Sequence, residues 1–154
     1  MDPVRKTYLI EAATEGQAYP PEAALANAWL RANLDKYADI DWQKRVGRGV
    51  ELGSEYDESI QQMAYQATRK RVDLVAYNGA GATIIELKDH VDLAAVRQAA
   101  NYAVLWRDSP VDPPVVAVVV VGRTADAAIT DAAAALGVTV ELLPQVQVAS
   151  QRPS

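Results

Sequence analysis

Three residues in one short stretch of this chain, Asp73, Glu86 and Lys88, have types and spacing that can do chemistry. Between the first two lies Asn78-Gly79-Ala80-Gly81, a run rich in residues that tolerate positive φ, and β-type patterns flank it over Tyr65 to Tyr77 and Ala82 to Lys88. The expected element is a hairpin. A turn centred between Gly79 and Ala80 sets Asp73 directly across from Glu86, with Cβ atoms about 4.5–5.5 Å apart. Like charges at that distance repel, so something positive belongs between them. A divalent cation with oxygen ligands meets the need, and a hard ion such as Mg²⁺ is content with two carboxylates, waters and a substrate phosphate. The period of two along a strand sends Lys88 to the face of Glu86, while Ile85 and Leu87 point to the other, into the core. An ammonium there can orient or help deprotonate an attacking water, or stabilise the charge that grows at phosphorus. Metal, water and lysine together describe phosphodiester hydrolysis.

An aspartate after a basic strand, a hairpin, then Glu86-Leu87-Lys88 closing an apolar strand and leading into a helix resembles the PD-(D/E)xK nuclease superfamily. The resemblance implies a restriction-endonuclease-like three-layer α/β/α fold with a mixed central sheet. It implies Mg²⁺ or Mn²⁺ bound by Asp73 and Glu86, with the main-chain carbonyl of Leu87 as a further ligand and Lys88 assisting the nucleophilic water. Gln98 and Tyr102 stand one helical turn apart, similar to the Gln-x-x-x-Tyr motif of recombination-type exonuclease domains. By that similarity Gln98 contacts the site or substrate and Tyr102 lines a nucleic-acid channel. Arg71, in the basic run just before Asp73, is a candidate substrate contact from charge patterning. The half of the chain from about residue 65 to 142 also resembles the catalytic domain of mismatch-nicking endonucleases. Related families supply another glutamate from the first helix, a role for which Glu22 is the candidate and Glu15 or Glu51 the alternatives. Val72 stands where the superfamily's name has proline.

Several elements must position these residues. Pro20 and Pro21 can start a helix, and Leu25, Ala26, Trp29, Leu30 and Leu34 then recur at helical spacing as far as Tyr37. Ile40 to Leu52 reads as an irregular or edge strand, and Gly53 to Ser59 as an acidic loop. Asp92 can cap a helix running to about Trp106, with Ala95, Ala99 and Ala103 forming a small face that lies close against a sheet. Val115 to Val121 is a continuous β-branched run, suited to a central strand covered on both faces. Thr124 then caps an alanine-rich helix to Leu136, and Val138 to Leu142 returns as a strand. The expected order is α-β-β-β-α-β-α-β, with right-handed crossovers making the last strands parallel to their neighbours. His90, the only histidine, reads as a surface residue, and Trp29, Trp42 and Trp106 read as packing residues.

The 154 residues suit one domain, with a core over about 20–143 and fraying before Pro20 and after Pro144. The absence of cysteine excludes disulfides, thiolate catalysis and cysteine-based zinc sites. No signal sequence is visible and the longest apolar run is too short for a bilayer, so a cytoplasmic protein without membrane contact is expected. The net charge of −5 opposes strong non-specific duplex binding, although Lys44, Arg45 and Arg48 form one basic group and Arg69, Lys70 and Arg71 another. The leading expectation is a DNA endonuclease, of a kind with small phage and repair enzymes; an RNA-directed nuclease is a third possibility, and a two-fold dimer is compatible with cutting both strands. The alternative is a catalytically inactive nuclease-fold module that binds or assembles with a protein partner.

Overall fold

The computed structural model describes residues 1–14, 20–79, 81–107 and 111–147. Its first helix, α1 (Pro3–Thr14), starts where Asp2 Oδ1 accepts the Arg5 amide at 2.9 Å and proline takes the first helical position, where a missing N–H costs nothing. Leu9, Ala12 and Ala13 are buried. The segment expected to fray therefore contributes to the core. Helix α2 (Pro20–Asn33) buries Leu25, Ala26, Trp29 and Leu30 and ends before Tyr37, in a 3-10 turn over Leu34–Lys36.

Strand β1 (Asp39–Val46) is an edge strand, as its mixed pattern suggested. The expected loop and long strand between Gly53 and Tyr77 are corrected: helix α3 (Glu58–Thr68) occupies that stretch, and β2 begins only at Lys70 (Lys70–Asn78). Gln61, Gln62, Met63, Ala64, Gln66 and Ala67 are all good helix formers, and Asp57 and Glu58 complement the N-terminal end of the helix dipole. None of α3 is buried.

The β2–β3 hairpin, with β3 over Gly81–Leu87, has the expected register, Leu74 facing Ile85 and Asn78 facing Gly81; Ala80 lies outside the described residues. Helix α4 (Leu93–Trp106) is capped by Asp92, whose carboxylate accepts the Ala95 amide at 2.9 Å. Strand β5 (Val115–Gly122) runs parallel to β3. Helix α5 (Ile129–Ala135) leads to β7 (Thr139–Leu142), parallel to β5. Thr124 does not cap α5. It lies in a two-residue strand, β6 (Thr124–Ala125), paired with β4 (His90–Val91), and α5 starts after Ala128.

The five-stranded sheet has the order β1-β2-β3-β5-β7, antiparallel through its first three strands and parallel through the rest. One face packs Ile84, Val118 and Val120 against Val96, Ala99, Trp106, Ile129 and Ala133 of α4 and α5. The other packs Leu74, Ile85, Leu87 and Val121 against Leu9, Ala26, Trp29 and Leu30 of α1 and α2. This is a three-layer α/β/α arrangement with a mixed sheet. Each fully buried aliphatic contributes about 1.5–3 kcal/mol relative to exposure, so the sheet is clamped from both sides. Trp106 shares the burial and satisfies its indole N–H on Pro113 O at 2.7 Å. No helix among the described residues is long and apolar enough to cross a membrane.

Candidate active site

The β2–β3 ladder stops at the Leu74–Ile85 pair, one step short of Asp73 and Glu86. Beyond it, side chains take over the work of the ladder. The Asp73 amide donates to Glu86 Oε1 at 3.1 Å, and the Leu87 amide donates to Asp73 Oδ2 at 2.9 Å. Each carboxylate is thus fixed by the other residue's strand, and the two converge at the fork between β2 and β3.

The pleat also changes phase here. On β2, Val75 packs on the α4 side and Leu74 and Ala76 on the α1–α2 side, yet Val72 joins Val75. On β1, Ile40 and Trp42 pack with α1 and α2 while Val46 packs with α4, although simple alternation would put all three on one face. The switch falls at the level of Gln43 and Asp73, where the β1–β2 register steps from Trp42–Leu74 to Lys44–Val72 and Gln43 has φ +51°. Gln43 Nε2 approaches Asp73 Oδ1 at 3.4 Å. Sequence reading overlooked this glutamine, because a left-handed residue inside a strand leaves no compositional mark when it is not glycine or asparagine.

Burial and mutual repulsion set the protonation of the cluster. Glu86 is only 7% exposed, and its carboxyl is pushed up to about 9, by burial first and by the Asp73 charge second. Asp73 is also raised by burial, against the hydrogen bond from Leu87. Glu22, half-buried on α2, is raised to about 7 by burial and then by Asp73, with Lys88 acting in the opposite sense. Glu22, on the second helix and not the first, therefore shares the electrostatic field of Asp73, Glu86 and Lys88. Of the alternatives, Glu15 lies outside the described residues and Glu51 is exposed in the loop before α3.

Lys88 is exposed at the end of β3, and its amide is anchored to Val121 O at 2.9 Å. The Leu87 side chain lies in the core while its amide holds Asp73. On α4, Gln98 Nε2 donates to the Tyr102 hydroxyl at 2.5 Å, the expected one-turn contact. The Tyr102 ring is buried against the sheet, where an aromatic body gains more from the core than from water, and Gln98 meets its polar tip. The Asp73 and Glu86 charges both raise the Tyr102 phenol, behind burial, so its hydroxyl lies within their field. Arg71 is exposed and pairs across β1–β2 with Arg45, also exposed. His90 is not close-packed. Its ring nitrogens meet Thr124 Oγ1 at 2.8 Å and Asp126 Oδ1 at 2.6 Å, joining β4 to β6.

Among the described residues no three His, Cys, Asp or Glu side chains form a ready-made metal cluster. The donors at the fork are nevertheless hard oxygens, two carboxylates held together against their own repulsion, which suits an ion such as Mg²⁺ that takes few protein ligands.

The chain matches no model of a known protein family and no curated protein. Two solved structures share part of its backbone course. One is a repair endonuclease from Pyrococcus abyssi, 16% identical with a TM-score of 0.49, covering 82% of this chain and 48% of that one. The other is AF1548, a protein of unknown function, 11% identical with a TM-score of 0.48, covering 73% of this chain and 53% of that one. This chain spans about half the length of each. Likeness at this level says nothing about chemistry.

Proposed function

We propose that this chain is a metal-dependent nuclease that hydrolyses phosphodiester bonds of DNA as an endonuclease. The observation that carries the reading is the convergence of Asp73 and Glu86 at the fork of β2 and β3, with Glu22 and Lys88 in the same electrostatic field. Asp73 and Glu86, with the Leu87 carbonyl and Glu22, would hold Mg²⁺ or Mn²⁺. Such an ion, when bound, supplies Lewis acidity toward the phosphate and a more acidic water. Everything else falls to the chain itself. Lys88, free to reach solvent, orients the attacking water or neutralises charge on the phosphoryl oxygens. The buried carboxylates keep a fixed pair of acceptors at the reacting centre, so that little reorganisation accompanies reaction. Gln98 and the Tyr102 hydroxyl extend the polar rim along α4.

Substrate backbone is held on the basic side of the fork. Arg45 and Arg71 face each other across β1–β2, a like-charge pair that an anion would relieve. Arg71→Ala is expected to raise KM for DNA roughly 3–10-fold with kcat little changed, and to flatten the salt dependence of binding by about one phosphate contact. Fluorescence anisotropy across a salt series checks this. A two-fold dimer would bring two such forks to one duplex, and sedimentation tests for it.

The reading is tested by incubating the protein with labelled single-stranded, duplex and branched DNA, and with RNA, in the presence of Mg²⁺, Mn²⁺ or EDTA. Cleavage of DNA that needs the ion supports it. A protein that binds DNA but leaves every substrate intact under all conditions is a binding module, and the nuclease reading is then wrong.

A further inference from the structure

Gln43 sits at the one level where β1 and β2 break their alternation, opposite Asp73. Its φ of +51° is a conformation that side chains disfavour, because Cβ crowds the following carbonyl. Glycine would adopt the same backbone without that crowding, and asparagine more readily than glutamine. What glutamine adds is an amide that reaches Asp73 Oδ1, at 3.4 Å. Asp73 Oδ2 is already held by the Leu87 amide at 2.9 Å. The Glu86 side chain also hydrogen-bonds this carboxylate, but aspartate χ2 is a broad, two-fold torsion, and an amide on Oδ1 opposite the Leu87 amide on Oδ2 fixes its plane.

We propose that Gln43 is a positioning residue, held in a left-handed backbone on the edge strand so that its amide, with the Leu87 amide, fixes the plane of the Asp73 carboxylate at the candidate active site. Gln43 touches neither the substrate nor the reacting atoms in this account. It acts through Asp73, and its contribution to cleavage rests on the nuclease reading, whereas its hold on Asp73 does not. Second-layer groups that orient a carboxylate matter because small displacements of a reacting constellation are costly in rate.

The test compares wild-type protein with Gln43→Gly, which relieves the backbone and removes the amide, and with Gln43→Asn, which suits the backbone but falls one methylene short. Three quantities are measured: the thermal midpoint, amide hydrogen exchange by NMR, and steady-state cleavage. Both variants are expected to melt no lower than wild type. Exchange should quicken at Leu87, whose amide reports on Asp73, while the amides of Val75 and Ile84 are unaffected. The value of kcat should fall about 10–100-fold with KM unchanged. Unchanged Leu87 exchange in Gln43→Gly overturns the proposal, and so does a rise in KM at constant kcat, which would make Gln43 a substrate contact. If wild type cuts nothing but Leu87 exchange quickens as expected, the positioning role stands and the nuclease reading falls.

Discussion

Replacing Lys88 by alanine is expected to lower kcat for metal-dependent DNA cleavage by about 10²–10⁴-fold, the range set by loss of a general acid or base, while KM stays close to wild type. The side chain is exposed, and the amide that anchors it to Val121 is untouched by the substitution. Folding free energy should therefore move by no more than about 0.5 kcal/mol. Single-turnover cleavage at saturating protein, beside a thermal melt, separates the two effects. A fall in activity matched by a fall in stability would mean that Lys88 is structural.

The second large effect concerns Glu86 and pH. Its carboxyl is raised to about 9 by burial and by Asp73, against about 4.3 for an unperturbed glutamate. Between those values the folded protein holds a proton that the unfolded chain has released. The folded state binds more protons, so stability falls as pH rises through this window. Glu22, raised to about 7, adds to the same slope over its lower part. Metal-free protein should accordingly melt highest near pH 5 and lose stability toward pH 9. Glu86→Gln removes the cost of ionising that group and should flatten the slope and raise the midpoint at pH 8. A saturating divalent ion should stabilise wild type at pH 8, by about 2.7 kcal/mol at a hundred times its Kd, and should not stabilise Glu86→Gln. Differential scanning calorimetry over a pH series, with and without Mn²⁺, checks each of these. A wild-type midpoint that rises from pH 5 to pH 8 without metal would contradict the assignment of Glu86.

The legible parts of this fold were those that obey a period. The hairpin register follows from the Gly79 turn, an interior strand from the valine run, and α4 from Asp92 and its alanine face; of these only β5 departs from its expectation, since β3 is the central strand and Val116 and Ala117 are exposed rather than covered. Helix α3 reads as strand when Tyr65 is joined to the valines beyond it, whereas Ile60, Met63, Ala64 and Ala67 recur at helical spacing on a helix with no buried residue. Helix α1 announces itself only through Asp2 and Pro3, a cap too short to notice without knowing that Leu9 and Ala13 have a sheet to cover. At the candidate site the pairing of Asp73 with Glu86 followed from counting across the turn. The phase change at Gln43 could not be counted, since alternation is the very rule that it breaks. The burial of the Tyr102 ring was not legible, because the one-turn spacing of Gln98 and Tyr102 fixes their contact and not the face against which the ring packs.

Asp73 and Glu86 are proposed to form one cation site. Calorimetric titration of Mn²⁺ into wild type, Asp73→Ala and Glu86→Ala tests it most directly. Wild type is expected to bind the ion and both substitutions to weaken or abolish binding, with all three proteins folded. Wild type that takes up no Mn²⁺, or variants that take it up as tightly as wild type does, would contradict it.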